Sequence, residues 1–233
     1  MNSPVSAEFD RYASSYAEHH QHSVALSGED PDYFARYKIE DLARVCTAEG
    51  LEPRRILDFG TGIGNALGPM QQAFPDARIT GIDVSAESLE LCRQIAREGT
   101  DLLCYDGQTI PFDDATFDVV FTACVFHHIP ASQHVRLLSE IRRVLAPNGL
   151  FMLYEHNPWN RLTVRAVRNC PFDENAVLIS APEMMRRLRS AGFSEVERRF
   201  RVFFPRALAM LRPLEWSLSP VPVGAQYMLV GHR

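Results

Sequence analysis

The chain has 233 residues, with 24 Lys and Arg against 29 Asp and Glu and a formal net charge of -5 at pH 7. That length can bury one substantial core, and that balance speaks against nonspecific binding to nucleic-acid phosphates. Five cysteines, at 46, 92, 104, 124 and 170, form no close pair, so neither a disulfide framework nor a zinc cluster is indicated and no metal is expected. The opening residues lack a basic start and an apolar core, and no segment approaches the roughly 20 apolar residues of a membrane span; a cytoplasmic protein with no membrane partner is the expectation.

In chain order, residues 6–26 read as one or two helices rich in Tyr and His. Ser27-Gly-Glu-Asp-Pro31 is a hinge and helix start, and 31–45 a further helix with Tyr33, Phe34, Tyr37, Ile39 and Leu42 at its apolar positions. Residues 1–48 are therefore expected to form a helical lid, and 49–233 the main domain with a substrate-side insertion around 157–182. Short apolar runs at 55–59, 78–82, 102–105, 117–122 and 149–155 suit buried parallel strands. Helical patterns fall between them at 65–74, 86–98 and 132–145, the last stopped by Pro147-Asn-Gly149. A helix at 181–191 and strands at 196–204 and 225–230 complete seven strands. This alternation specifies an α/β domain with a mostly parallel sheet.

Binding crevices in such sheets lie beyond the carboxyl ends of the strands. There the chain reads Asp58-x-Gly60-x-Gly62-x-Gly64, with Asp83 ending the next strand and Asp106-Gly107 following the third. A dinucleotide fingerprint would place its third glycine at 65, where Asn65 stands. Asp83 suits two ribose hydroxyls as a charged acceptor. Asp58 suits a ligand ammonium or the turn's own N–H groups, and Asp106 a purine amine or a turn cap.

In order, Leu57-Asp-Phe-Gly-Thr-Gly-Ile-Gly64, Thr80-Gly-Ile-Asp-Val-Ser85, Cys104-Tyr-Asp-Gly107, Pro111-Phe-Asp-Asp-Ala-Thr-Phe-Asp118 and Ile141-Arg-Arg-Val-Leu-Ala-Pro-Asn-Gly149 resemble the class I S-adenosylmethionine-dependent methyltransferases, in their small-molecule branch. The resemblance implies a Rossmann-like fold, S-adenosylmethionine as cofactor and direct methyl displacement onto an O, N or C atom of a small metabolite. By it, Gly60, Thr61 and Gly62 face the methionine part. Asp83 and Val84 lie at the ribose, Asp106 and Gly107 at the adenine, and Thr122, Ala123 and Val125 beneath the methylsulfonium, with Asp58 and Tyr12 adding cofactor contacts. Thr61 stands where the family often has Cys or Ser.

On the acceptor side, His127 and His128 in Phe126-His-His-Ile-Pro130 are candidate bases or loop-ordering residues. Tyr12, Tyr16, His19 and His20 share a helical face that packs or closes over the pocket, with Tyr16 a third catalytic candidate. Glu155, His156 and Asn157 leave the end of the fifth strand as substrate contacts. Arg165, between Arg161 and Arg168, can take a carboxylate or phosphate, or pair with Asp173 or Glu174. An anionic small molecule is the acceptor this favours, and a homo-oligomer is left open. Two other readings use the same pocket: a lyase or cyclase, in which the cofactor's aminobutyrate arm attacks and methylthioadenosine leaves, and a nonenzymatic cofactor-binding subunit.

Overall fold

The computed structural model describes residues 27–233, so the helices expected at 6–26, with Tyr12, Tyr16, His19 and His20, lie outside the described residues. Asp30 caps helix α1 (Pro31–Ala48) by accepting the Tyr33 N–H at 2.7 Å, and Pro31 occupies its first turn, where a missing N–H costs nothing. The core then alternates as β1 (Arg55–Phe59), α2 (Leu67–Ala73), β2 (Arg78–Asp83), α3 (Ala86–Ile95), β3 (Thr100–Cys104), β4 (Phe117–Ala123), α4 (His134–Val144) and β5 (Leu145–His156). It closes with α5 (Arg161–Arg168), α6 (Ala181–Ser190), β6 (Val196–Arg201), α7 (Glu215–Leu218) and β7 (Gln226–His232).

The seven strands lie in the order β3-β2-β1-β4-β5-β7-β6. The first five are parallel, and β7 runs antiparallel to both β5 and β6. The strand order reverses between β1 and β4, which places a crevice at their carboxyl ends. Alternating strand residues feed two apolar layers. Leu57, Phe59, Val120 and Phe151 pack with α4 and α6, whereas Ile56, Ile79, Val119 and Met152 pack with α1 and α2.

Several expected boundaries move: β6 stops at Arg201 short of 204, α3 at Ile95 short of 98, and β5 starts earlier. Pro147-Asn-Gly149 forms an irregularity inside β5 instead of a break before it: Leu145 pairs with Phe117, the register shifts, and Leu150 pairs with Val119. Asn148 takes a positive φ of 63° there, a conformation that asparagine tolerates. No helix among the described residues is long and apolar enough to cross a membrane.

A buried polar cluster attaches α1 to the far half of the sheet. Arg201 of β6 donates to both Asp41 carboxylate oxygens, at 2.6 and 2.8 Å, and the Tyr154 hydroxyl donates to the same carboxylate. Asp41 and Arg201 are 1% and 2% exposed, so removing one charge strands the other away from water. Asp41→Ala is expected to cost about 3–5 kcal/mol, measured from urea unfolding curves of the variant and its parent; a loss below about 1 kcal/mol would contradict this attachment.

Candidate active site

The carboxyl ends of β1, β2 and β4 open into a cavity of about 590 Å³, closed by α1, the loop after β4, the end of β5, α5 and residues 202–205. The glycine turn forms one wall. Gly60 has φ +76°, and a Cβ there would lie 2.5 Å from Val125 Cγ2, so conformation and space both demand glycine. The N–H groups of Gly60 and Thr61 donate to the Ile82 carbonyl at 2.9 and 3.0 Å, hooking the turn over β2. Gly62 also lines the cavity, and a Cβ on it would meet nothing within 4 Å.

Three carboxylates organise this wall. Asp83 accepts the Gly62 N–H at 2.8 Å and the Ser85 N–H at 2.9 Å, clamping two strand-end loops while lining the cavity with Val84. Asp58 accepts the Thr61 hydroxyl at 2.7 Å; burial pushes its carboxyl up to about 7 despite that bond. Asp106 accepts the N–H groups of Gln108 and Thr109 at 2.7 and 2.9 Å. Those bonds hold its pKa below the ordinary value and cap the turn that carries Gly107 into the lining.

Thr122 stands elsewhere than expected. It is fully buried and donates its hydroxyl to the Phe59 carbonyl at 2.8 Å, so the strand's alternation turns it into the sheet. Ala123 and Val125, expected beside it, do line the cavity, together with Cys124.

On the acceptor side, Glu155 is a positioning group. Buried at 1% exposure, it accepts the Val125 and Phe126 N–H groups at 3.1 and 2.8 Å and lies 2.6 Å from His127 Nδ1. Burial would raise its pKa, but His127 brings it down to about 2. Burial opposes a charge on His127, yet Glu155 and Asp173 hold its pKa well above the ordinary value. His127 Nε2 and His128 Nε2 lie 3.4 and 3.3 Å from Asp173 Oδ1, and burial with the adjacent His127 lowers the pKa of His128. His127, His128, His156 and Asp173 all line the cavity.

Two other expected contacts are displaced. Asn157 is buried and donates to the Gly224 and Pro222 carbonyls at 2.8 and 3.2 Å; like Glu155, it supports the wall without lining it. Helix α5 turns Leu162, Thr163, Ala166 and Val167 toward the cavity and leaves Arg161, Arg165 and Arg168 exposed. Asp173, considered as an arginine partner, faces the histidines instead.

Sequence reasoning missed Cys124, Lys38 and Gln226 in this wall. Cys124 has a positive φ of 59°, and its sulfur lies 3.5 Å from Gln226 Nε2 and 3.8 Å from Lys38 Nζ. Burial would raise the thiol's pKa, but His156 and Lys38 bring it down to about 7. Its place just past a central strand was the available signal; Lys38 and Gln226 come from α1 and β7 and carry none.

The strand order, the reversed β7, the glycine turn after β1 and the acid ending β2 together define a class I methyltransferase fold with an adenosylmethionine-type crevice. Residues 56–149 match the model of a methyltransferase domain. A fatty-acid O-methyltransferase of Mycolicibacterium smegmatis is 28% identical over 144 residues, covering 61% of this chain and 51% of the relative. A demethylmenaquinone methyltransferase of Thermotoga maritima is 32% identical over 110 residues, covering 47% of each. The chain thus spans about half the length of the curated relatives it matches. In fold, it is similar to the crystal structure of a SAM-dependent methyltransferase from Thermotoga maritima, with a TM-score of 0.67 and 20% identity over 97% of this chain and 98% of that one.

Asp83→Ala is expected to weaken adenosylhomocysteine binding at least about tenfold, the scale of one charge-assisted hydrogen bond. Calorimetry on the folded variant checks this, and unchanged affinity would remove Asp83 from the cofactor site. Asp58 gives a pH signature. An unfolded aspartate ionises near 3.9 and the folded one at about 7, so between those values the folded state holds more protons and stability falls as pH rises. Asp58→Asn should remove that slope, its melting temperature relative to the parent rising from pH 5 to pH 8; a pH-independent difference would show that Asp58 is not held neutral.

Proposed function

We propose that this chain is an S-adenosylmethionine-dependent methyltransferase acting on a small-molecule acceptor. The observation that carries the reading is continuity: Asp58, Gly60, Thr61, Gly62, Asp83, Val84, Asp106 and Gly107 share one cavity with Lys38, Cys124, His127, His128 and His156. When bound, the cofactor supplies a methyl group on a positively charged sulfur. The glycine turn offers backbone to its amino-acid part, Asp83 accepts from its ribose, and Asp106 with Gly107 flanks its base.

An acceptor lone pair or carbanion must reach the methyl carbon opposite the sulfur; its electrons form the new bond while the S–C pair returns to sulfur as a neutral thioether. The protein's main contribution is therefore alignment and exclusion of water. A base is needed only where the acceptor gives up a proton, and the loop histidines that line the cavity are the candidates for it.

An anionic acceptor in a cytoplasmic setting belongs to the same proposal. With Arg165 facing solvent, its support passes to Lys38, the one Lys or Arg among the described residues lining the cavity. The names of the relatives, a fatty-acid and a demethylmenaquinone methyltransferase, support a small organic acceptor without specifying it. Tyr12, Tyr16 and His19 remain proposed lid contacts from outside the described residues.

The test is product analysis by mass spectrometry after incubating the full chain with S-adenosylmethionine and a panel of small acceptors. Adenosylhomocysteine that forms only with an acceptor is expected. Methylthioadenosine formed without one would replace the proposal with intramolecular cleavage, and saturable binding with no product across the panel would leave a binding protein.

A further inference from the structure

We propose that His127, His128 and Asp173 bind one divalent first-row transition-metal ion on the acceptor side of the cavity. Each residue offers a ligand atom, and the three atoms lie within 4.8 Å of one another. Asp173 Oδ1 is 3.4 Å from His127 Nε2 and 3.3 Å from His128 Nε2. Charge-assisted hydrogen bonds between such groups run to about 2.7–2.9 Å. By contrast, two donors bound at about 2.0–2.1 Å to a tetrahedral ion stand roughly 3.3–3.4 Å apart. Two edges of this triangle thus have the length of a pair sharing a tetrahedral ion, and the third lies within 4.8 Å.

The second observation concerns how these atoms are satisfied. His127 Nε2 and Asp173 Oδ1 are buried with no hydrogen-bond partner of good geometry, their side chains being 1% and 7% exposed. Buried polar atoms left without a well-formed hydrogen bond are costly; these two face each other at 3.4 Å as an ion pair that lacks one. The third is the carboxylate behind His127. Glu155 Oε2 lies 2.6 Å from Nδ1 and Glu155 Oε1 accepts two backbone N–H groups. This fixes the ring so that Nε2 faces Asp173, the outer support that ligating histidines typically carry.

Two imidazoles and one carboxylate suit zinc, cobalt or ferrous iron better than calcium or magnesium, which favour oxygen donors throughout. All three residues line the cavity, so coordination positions opposite them face the space an acceptor would fill. An ion there would bind an acceptor oxygen or nitrogen as a Lewis acid and favour its deprotonated form. That role rests on the methyltransferase reading, whereas the site itself does not.

The experiment uses the full chain, stripped by chelator and titrated with Co²⁺ and then Zn²⁺. It is followed by calorimetry and by the visible absorption of cobalt, with adenosylhomocysteine binding measured on the same protein. Uptake of one equivalent with micromolar or tighter affinity is expected, with a cobalt spectrum that Zn²⁺ displaces. In His128→Ala and Asp173→Asn the affinity should fall at least tenfold and the spectrum disappear. His19, His20 and His22 are alternative ligands, so one-equivalent uptake that survives in either folded variant overturns the proposal, as does less than stoichiometric uptake by the parent. Should Asp173→Asn fail to fold, His128→Ala and the milder His128→Gln decide by the same spectral criterion. Metal uptake without adenosylhomocysteine binding would defeat the methyltransferase reading and keep the site; cofactor binding without metal would do the reverse.

Discussion

The buried carboxylate of Glu155 is the constraint on which the arrangement of strand ends depends. A charge this deep costs several kcal/mol unless its lone pairs are met, and the groups that meet it are the Val125 and Phe126 N–H groups and the His127 ring. The loop after β4 is thereby fixed to the end of β5. Val125, so placed, fills the space a side chain at Gly60 would need, which leaves the first loop one path. That path continues through the Ile82 carbonyl to Asp83, which receives the Gly62 N–H. Four strand ends are locked in series, β5 to β4 and β1 to β2 by buried polar groups and β4 to β1 by the Val125 side chain.

The far wall follows a similar logic over longer range. Asp41, Arg201 and Tyr154 join α1, β6 and β5, and Glu215 accepts the Phe203 and Phe204 N–H groups and the Tyr37 hydroxyl. Arg212 adds a bond to Glu29 at 2.7 Å and lies over the Tyr33 ring. These contacts hold α1 and residues 202–205 together across the cavity, so Lys38 and Phe203 reach it from opposite ends of the chain. The match to the methyltransferase domain family stops at residue 149 and includes neither segment. The cavity wall is thus built both by residues inside the matched stretch, such as Cys124, His127 and His128, and by residues outside it, such as Lys38, His156, Asp173 and Phe203.

Polar groups are also concentrated at the end of β4. Cys124 sits in a left-handed conformation that a non-glycine residue adopts at a cost, beside Lys38 and Gln226. The adjacent loop brings two histidines against Asp173. Strain and buried charge of this kind persist only where the surrounding structure compensates, here through the bonds of Glu155 and the packing of α5.

The strands, the helices α1 to α4 and α6, the glycine turn and the acids Asp58, Asp83 and Asp106 were legible in the sequence, because each rests on local physics: apolar periodicity, a helix cap, a positive φ, a residue at a strand end. Local rules also explain the misses. Thr122 was assigned by its neighbours, but strand alternation turned it inward, and Arg165 by its charge, but the apolar side of α5 claimed the cavity. The β5 irregularity at Asn148 shows that a Pro-Asn-Gly run reads as a break when its pairing partner is unknown. Only the tertiary structure decided that Asp173 meets His127 and that Lys38 meets Cys124, contacts between residues 46 and 86 positions apart. No periodicity encodes such pairs, because they arise from how the helices and β7 close over the sheet after the local elements have formed.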